Sequence, residues 1–448
     1  MISKNLIKLF SLFLIFSASQ LHGQTSLSLI EAQEYALKNS AQVKNALLDI
    51  EKAKKKIWET AAMGLPQING AVEYTYMPTI PEMQFSAVTH GELQPDGKTV
   101  LLNSIDVPIK LGVPHSVTFS ATASQLVFSG SYIVGLQTSK MFKKLSEQSL
   151  QMSENDVKED VANTYYMVLA ADENNKLLKS TSENMKKTLM EFEAMFKEGL
   201  IESTDVDQLK YTVTNIDNTS KMLERQVAIA YRLLKFQMGM DLSQEIILSD
   251  QLDDVIAGIT MESIINKNLD INSNITYQLL NTQESLQEAL VRLEKSAYLP
   301  TLAAFYQHQE KPFKADFDFS FPDIAGASLS IPIFSSGMRN AKVAQANIEL
   351  EKSRNTKKMA VQGLMLEAQQ SHIMLQSSFE KFINEKSNQE LAKSIYNKTL
   401  IKYKEGMSSS MDLTVANSQY LSAQSNYFNA LLEVLQAKNK LDNILNNK

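Results

Sequence analysis

The chain has 448 residues and no cysteine, which excludes disulfides, cysteine metal sites, a cysteine nucleophile and an acylated N-terminal cysteine. Its formal charge is −6, and no basic stripe with interleaved aromatics occurs, which argues against nucleic acid as a partner. Only 15 glycines and 10 prolines are too few for a loop-rich or disordered protein, and 44% hydrophobic residues can build a core.

Residues 1–23 carry the pattern of a secretory signal peptide. Lys4 and Lys8 precede an apolar run through Leu12, Phe13, Leu14, Ile15 and Phe16, and small residues Ser17-Ala18-Ser19 lead to a cut after Gly23. A helix is expected from Leu29 to Met63, ended by Gly64-Leu65-Pro66. Gln67 to Tyr76 alternates with Ile68, Val72, Tyr74 and Tyr76 on one face, the period of a strand. Met77 to His115 holds Pro78, Pro81, Pro95-Asp96-Gly97, Pro108 and Pro114 and reads as a long loop. Ser116 to Phe128 alternates again, setting Val117, Phe119, Ala121 and Ala123 against Thr118, Ser120, Thr122 and Ser124. Ser129-Gly130 closes that strand. An unbroken helix is expected from Ser131 to Lys197, Gly199 breaks it, and another runs from Thr204 to Met238. Residues 241–262 form an irregular linker with short apolar pieces.

The same order then returns. A helix ends at Leu299-Pro300, strands are expected over residues 301–308 and 325–334, and Phe334-Ser335-Ser336-Gly337 opens a long helix to Lys404. Pro332 points to a bend, or one missing donor, in the last strand. Phe196-Lys197-Glu198-Gly199 recurs as Tyr403-Lys404-Glu405-Gly406, and Asp205 recurs at the same offset as Asp412. Leu413, Tyr420, Tyr427, Val434 and Leu441 follow at intervals of seven, with Ala416, Ala423, Ala430, Ala437 and Ile444 three residues after each. This is the spacing of a coiled-coil seam. The chain therefore divides into a first repeat, 24–240, and a second, 263–448.

Strands of about ten residues with one apolar and one small-polar face suit a membrane barrel with a wet lumen. Four strands close neither a barrel nor a sandwich core alone, so other copies of the chain must complete the sheet. The five histidines, His22, His90, His115, His308 and His372, are scattered, and no phosphate loop, nucleophile elbow or dinucleotide fingerprint is present. No enzyme and no cofactor is expected. The rival reading is a periplasmic coiled-coil adaptor or scaffold, which would share the long helices but carry no membrane strands.

In the order of these junctions and turns the chain resembles the TolC-like outer membrane efflux proteins. The markers are Leu65-Pro66 and Leu299-Pro300 at helix-to-strand junctions, Phe128-Ser129-Gly130 and Phe334-Ser335-Ser336-Gly337 at strand-to-helix junctions, and the two Lys-Glu-Gly turns. The resemblance implies a mostly α-helical homotrimer. A long coiled-coil tube would continue a twelve-stranded outer-membrane barrel, four strands from each chain. It implies a passive exit duct of a tripartite efflux or type I secretion system, docking with a periplasmic adaptor (membrane fusion protein) and an inner-membrane pump of RND or ABC type. The turns at Gly199 and Gly406 would lie at the periplasmic tip, where Asp412, Asp205 and Tyr403 match gate positions. Val415 and Ser408 stand where the family pattern has a second acid and a basic residue, which implies one acidic ring and a looser latch. First-turn acids also simply stabilise helices, and Thr204 or Ser410 could cap. Phe128 and Phe334 fit an aromatic girdle at the membrane edge. Trp58 is expected to be buried in the helical layer, with Tyr420 and Tyr427 in the core.

Overall fold

The computed structural model describes residues 25–93, 97, 100–257, 269–314, 318 and 320–445; the signal sequence read over residues 1–23 lies outside them. The chain divides into two compact units. A helical unit takes the residues up to Asp49 with Ser146–Asn281 and those from Thr356 on, and a strand-bearing unit takes Ile50–Leu145 and Thr282–Asn355. The fold is mostly helical, with a small β part.

The first long helix of the sequence reading is two helices, α1 (Leu29–Asn39) and α2 (Ala41–Ala62). Ser40 separates them with an extended backbone, and its hydroxyl accepts from the Val43 N–H at 3.3 Å. A serine competes with the helical ladder for local donors, so α1 stops and α2 starts at one residue. Ser28 begins α1 in a capping box, its backbone N–H donating to Glu31 Oε2 at 2.8 Å. Trp58 on α2 is 65% exposed in the chain, contrary to the burial expected of it.

Two hairpins of very long helices follow. α3 (Gly130–Lys197) turns through Gly199 into α4 (Ser203–Met238), and α7 (Met338–Lys404) turns through Gly406 into α8 (Ser410–Ile444). With 68 residues, α3 is about 100 Å long. Between the hairpins lie a short helix α5 (Leu252–Ala257) and α6 (Ile275–Ser296). The segment over 241–262 is more regular than its composition suggests. Its strand β6 (Ile246–Leu248) pairs in parallel with β1 (Thr25–Leu27), and the Tyr165 hydroxyl donates to Leu27 O at 3.0 Å. Residues 258–268 lie outside the described ones.

Three apolar clusters hold the helical unit. One gathers Ala32, Ala36, Tyr165, Leu234 and Met238 around α1. A second, aliphatic, packs Leu431, Val434, Leu435 and Leu441 of α8 with Leu375 and Phe382 of α7. The third lies toward the turns and is aromatic, with Phe192, Tyr396, Tyr403 and Tyr420 around Met185 and Leu413. Tyr420 is core as expected, and Tyr427 packs, partly buried, against the second cluster.

In the strand-bearing unit β2 (Gln67–Tyr76), β5 (His115–Ser129), β7 (Thr301–Glu310) and β8 (Asp323–Ser330) form one antiparallel sheet in the order β2-β5-β7-β8. The last strand stops before Ile331-Pro332-Ile333 rather than running to Phe334, because Pro332 has no N–H to give the ladder. Met77 to His115 is not a plain loop. It contains β3 (Glu82–Leu93) and β4 (Val100–Lys110), which pair as a separate two-stranded hairpin. Pro78, Pro81 and Pro114 sit at its base, and Pro108 is tolerated because both strands of a two-stranded ribbon are edges.

The strand-to-helix junction of the first repeat packs on the helix-to-strand junction of the second. A methyl group on Gly130 would lie 2.5 Å from Leu299 Cδ1 and 3.2 Å from the Ser296 carbonyl oxygen. Gly130→Ala is therefore expected to overpack this junction and cost about 1–3 kcal/mol. Thermal unfolding of the detergent-purified protein checks it, with a lowered midpoint expected and an unchanged one telling against the close approach.

Candidate functional site

The first candidate region is the sheet. Its pairing sets Val72 beside Phe119, Tyr74 beside Val117, Ala123 beside Tyr306 and Leu302 beside Leu329 on one face. The other face carries Asn69, Glu73, Thr118, Ser120, Thr122, Gln307, Gln309 and Ser328. The apolar face has no cover among the described residues, with Ile68 79% and Val72 67% exposed. A contiguous apolar face of this kind is stable only against lipid or another protein surface. At the end of β2 that meets the β3–β4 hairpin, the Tyr74 hydroxyl bonds His115 Nδ1 at 2.8 Å and Tyr76 stacks on the same ring at 4.9 Å. At the opposite end Phe128 and Phe334 are both exposed. Aromatic side chains thus stand exposed near both ends of the apolar face. Among the described residues no helix is long and apolar enough to cross a membrane.

The junction residues hold these strands. Pro66 and Pro300 immediately precede β2 and β7, while Gly130 is the first residue of α3. Gly337 takes a left-handed φ of 81° just before α7, after Ser336, itself at 48°.

The second candidate region is the pair of helical turns. Gly199 and Gly406 have φ values of 72° and 71°, the left-handed geometry of helix C-terminal turns that glycine reaches without strain. Leu200 N–H bonds Met195 O, and Met407 N–H bonds Lys402 O, so both turns close in the same way. Sequence similarity around the two glycines thus reports equal backbone geometry.

Asp412 is the third residue of α8. Ser409, not Ser410, is the cap: its hydroxyl accepts from the Asp412 N–H at 3.1 Å, and the Asp412 carboxylate accepts from the Ser409 N–H at 3.0 Å. Ser408, at the position where a basic residue was expected, donates its hydroxyl to the same carboxylate at 3.1 Å. Bonds from the Ser409 backbone, the Ser409 hydroxyl and the Ser408 hydroxyl, in that order, hold the Asp412 carboxyl below its usual range. Asp412 and Val415 are both exposed. Asp205 occupies the first turn of α4, where the cap residue Glu202 makes no capping bond with its side chain, and the Thr204 hydroxyl donates to Glu202 Oε2 at 3.2 Å rather than capping.

Tyr403 is buried, with its ring 4.5 Å from that of Phe192. Burial pushes its hydroxyl up to about 12, with the Asp205 charge adding to the shift. The hydroxyl makes no well-formed bond, because nearby Ser410 donates instead to Gln208 Oε1 at 2.7 Å. Lys404 pairs with Glu191 at 2.7 Å across the hairpins. The structure thus brings Tyr403 near Asp205 and leaves Asp412 in its own capping box. Phe192, Gln208, Ser410 and the Glu191–Lys404 pair join the turns but carry no sequence motif. Ser410 stands out in the sequence only as a possible cap.

A family profile described as outer membrane efflux protein matches residues 33–240 and 276–447. The chain belongs to the outer membrane efflux protein family. No curated protein sequence matches it. Among solved structures, this efflux protein is similar to the outer membrane protein VceC of Vibrio cholerae at 14% identity, covering 93% of this chain and 95% of that one, with a TM-score of 0.68. It is similar to the CmeC outer membrane channel of Campylobacter jejuni at 17% identity, covering 96% and 90%, TM-score 0.68. It is also similar to the MtrE outer membrane channel of Neisseria gonorrhoeae, in its open state, at 13% identity, covering 93% and 88%, TM-score 0.68. Long helices with a small β part are the shared fold. The family places the efflux protein in the outer membrane as a channel rather than an enzyme, and the adaptor alternative falls.

An unbonded buried hydroxyl adds little, whereas the ring fills space. Tyr403→Phe should leave stability within about 0.5 kcal/mol, and Tyr403→Ala should cost about 3–5 kcal/mol. Because the folded-state value lies above the ordinary ~10 of tyrosine, the linked stability is present below pH ~10 and is lost as pH rises toward 12. Thermal melts of both variants from neutral pH upward check this; a large loss in the phenylalanine variant at neutral pH would assign the hydroxyl a bond.

Proposed function

We propose that the efflux protein works as a homotrimeric exit duct of a tripartite efflux or type I secretion assembly, taking cargo from a periplasmic adaptor and an inner-membrane pump. The carrying observation is the open sheet. Strands β2 and β8 are unpaired edges, and three successive antiparallel pairings make them run in opposite directions. Strand β8 of one copy can therefore pair antiparallel with β2 of the next. Three copies would give twelve strands and no edge, as a bilayer requires. The small-polar face would line the lumen, and the apolar face would meet lipid.

The helices support the same assembly. Met222, Ile229 and Phe236 recur at intervals of seven on α4, and Met359, Leu366 and Ile373 do so on α7; all six are exposed in the single chain. Uncovered seven-residue stripes suit coiled-coil contact with neighbouring copies. In this reading the two repeats, 24–240 and 263–448, each supply one strand pair and one helical hairpin. Export follows passage of residues 1–23 as a signal peptide.

The gate is assigned to the periplasmic turns. Three symmetry-related Asp412 carboxylates at a constriction would focus a negative potential and attract cations. The capping hydrogen bonds favour the charged form, while repulsion among three like charges in a ring opposes it, so block by multivalent cations should weaken as pH falls through the carboxylate range. Asp412→Ala should weaken that block in bilayer recordings about tenfold or more, and unchanged block would take Asp412 out of the lumen.

Membrane integration is tested separately. After an alkaline wash of fractionated cells, the full chain should stay in the outer membrane. Its release into the soluble periplasmic fraction would sink the barrel.

A further inference from the structure

The helix ends that flank the four-stranded sheet carry a charge pattern of their own. Residues 52–65, 130–144, 286–299 and 337–350 cover the ends of α2 and α6 and the starts of α3 and α7. They hold eleven lysines and arginines against four acids, in a chain whose formal charge is −6. No acid occurs in α3 before Glu147, or in α7 before Glu349.

The basic residues are ordered against apolar ones. On α2, Trp58 follows Lys54 and Lys55. On α3, Ile133 precedes Lys140. On α6, Tyr298 follows Lys295, and on α7, Met338 precedes Lys342. Spacings of three, four or seven put each set on one helix face. All nine side chains are exposed. On every helix the apolar residue lies nearer the sheet, and the basic one about 5–10 Å further along the axis.

The loop between β8 and α7 adds to the apolar level. Ile333 is 91% and Phe334 84% exposed, more than any other large apolar residue described. Arg339, with its guanidinium 5.7 Å from the centre of the Tyr298 ring, donates from Nη1 to Pro332 O at 3.1 Å. That bond ties the apolar loop to the basic level.

Sheet, then apolar, then basic is the order of a bilayer boundary. Hydrocarbon takes the apolar side chains, and long basic side chains beside it bury their stems and hold their charge at the phosphate level. A wet lumen offers nothing to Trp58, Ile133 or Phe334. Four separate helix ends repeat the order, so it is no accident of one helix.

Resting on the barrel reading above, we propose that this collar binds the anionic phospholipid headgroups of the periplasmic leaflet, with Lys55, Lys140, Lys295 and Lys342 as phosphate contacts. The attraction sets the depth of the sheet in the bilayer. The remainder of the chain is acidic and is repelled by the same lipids.

The experiment uses the full-length protein in uncharged detergent, with phosphatidylglycerol or phosphatidylcholine as the probe and native mass spectrometry to count bound lipid. The natural chain should retain phosphatidylglycerol about fivefold better than phosphatidylcholine, and the excess should fall as salt rises. Lys55→Gln, Lys140→Gln, Lys295→Gln and Lys342→Gln together should cut that retention about threefold or more, while arginine at the same four positions should keep it. Equal retention by the glutamine variant and the natural chain overturns the proposal. So does equal retention of the two lipids, and these measurements on the natural chain decide even where the variant fails to fold. Displacement of phosphatidylglycerol by inorganic phosphate would make the collar a free-phosphate site, and preference for lipopolysaccharide would turn it to the other leaflet; each overturns the proposal. A glutamine variant that keeps its lipid but changes the cation-to-anion selectivity of conductance puts the lysines in the lumen and overturns it too. Release of the natural chain from membranes by the alkaline wash sinks the barrel reading itself, and is read before any lipid is added.

Discussion

A β-sheet in hydrocarbon cannot leave its edge groups without partners, because no water is there to take them. The whole design of this efflux protein answers that constraint with too few strands. Four strands leave two edges and an apolar face that nothing among the described residues covers. The glycine at the head of α3, fitted against Leu299, and the proline that ends β8 fix where the sheet gives way to helix. The helices show the same incompleteness, since stripes on α4 and α7 are exposed in the single chain and the proposed assembly would cover them.

Within the helical unit the division of labour is chemical. Aliphatic side chains dominate the buried face of α8 from Phe428 on, and aromatic, sulfur-containing and polar groups dominate around its first turns. Tyr396, whose hydroxyl donates to Met185 Sδ at 3.2 Å, and Tyr403, whose hydroxyl goes unbonded, belong to that softer end. A core meant only for rigidity would satisfy such groups or replace them.

Much of this was legible in the residues because the governing periods are simple. Two-residue alternation marked β2 and β5, and seven-residue recurrence marked α8. What escaped was set by local chemistry or distant contact. Ser40 split a helix that its apolar period continues through, and the prolines of the Met77–His115 segment masked a hairpin, since proline forbids pairing only where its missing donor would be used. At the turns, Gly199 and Gly406 announced themselves, whereas the bond between Gln208 and Ser410 spans 202 positions and leaves no trace in either neighbourhood. The exposure of Trp58 was hidden for a related reason: burial is a property of an assembly, and a sequence names one member of it.

The opposed directions of β2 and β8 have a kinetic meaning. One chain can form its sheet but cannot close it, so closure of the proposed threefold ring is a step between chains whose rate rises with chain concentration. Until that step, each sheet carries two reactive edges and an oily face through an aqueous compartment, a state prone to edge-to-edge aggregation. Biogenesis of such a duct thus favours delivery of several chains to one place over release of each chain by itself.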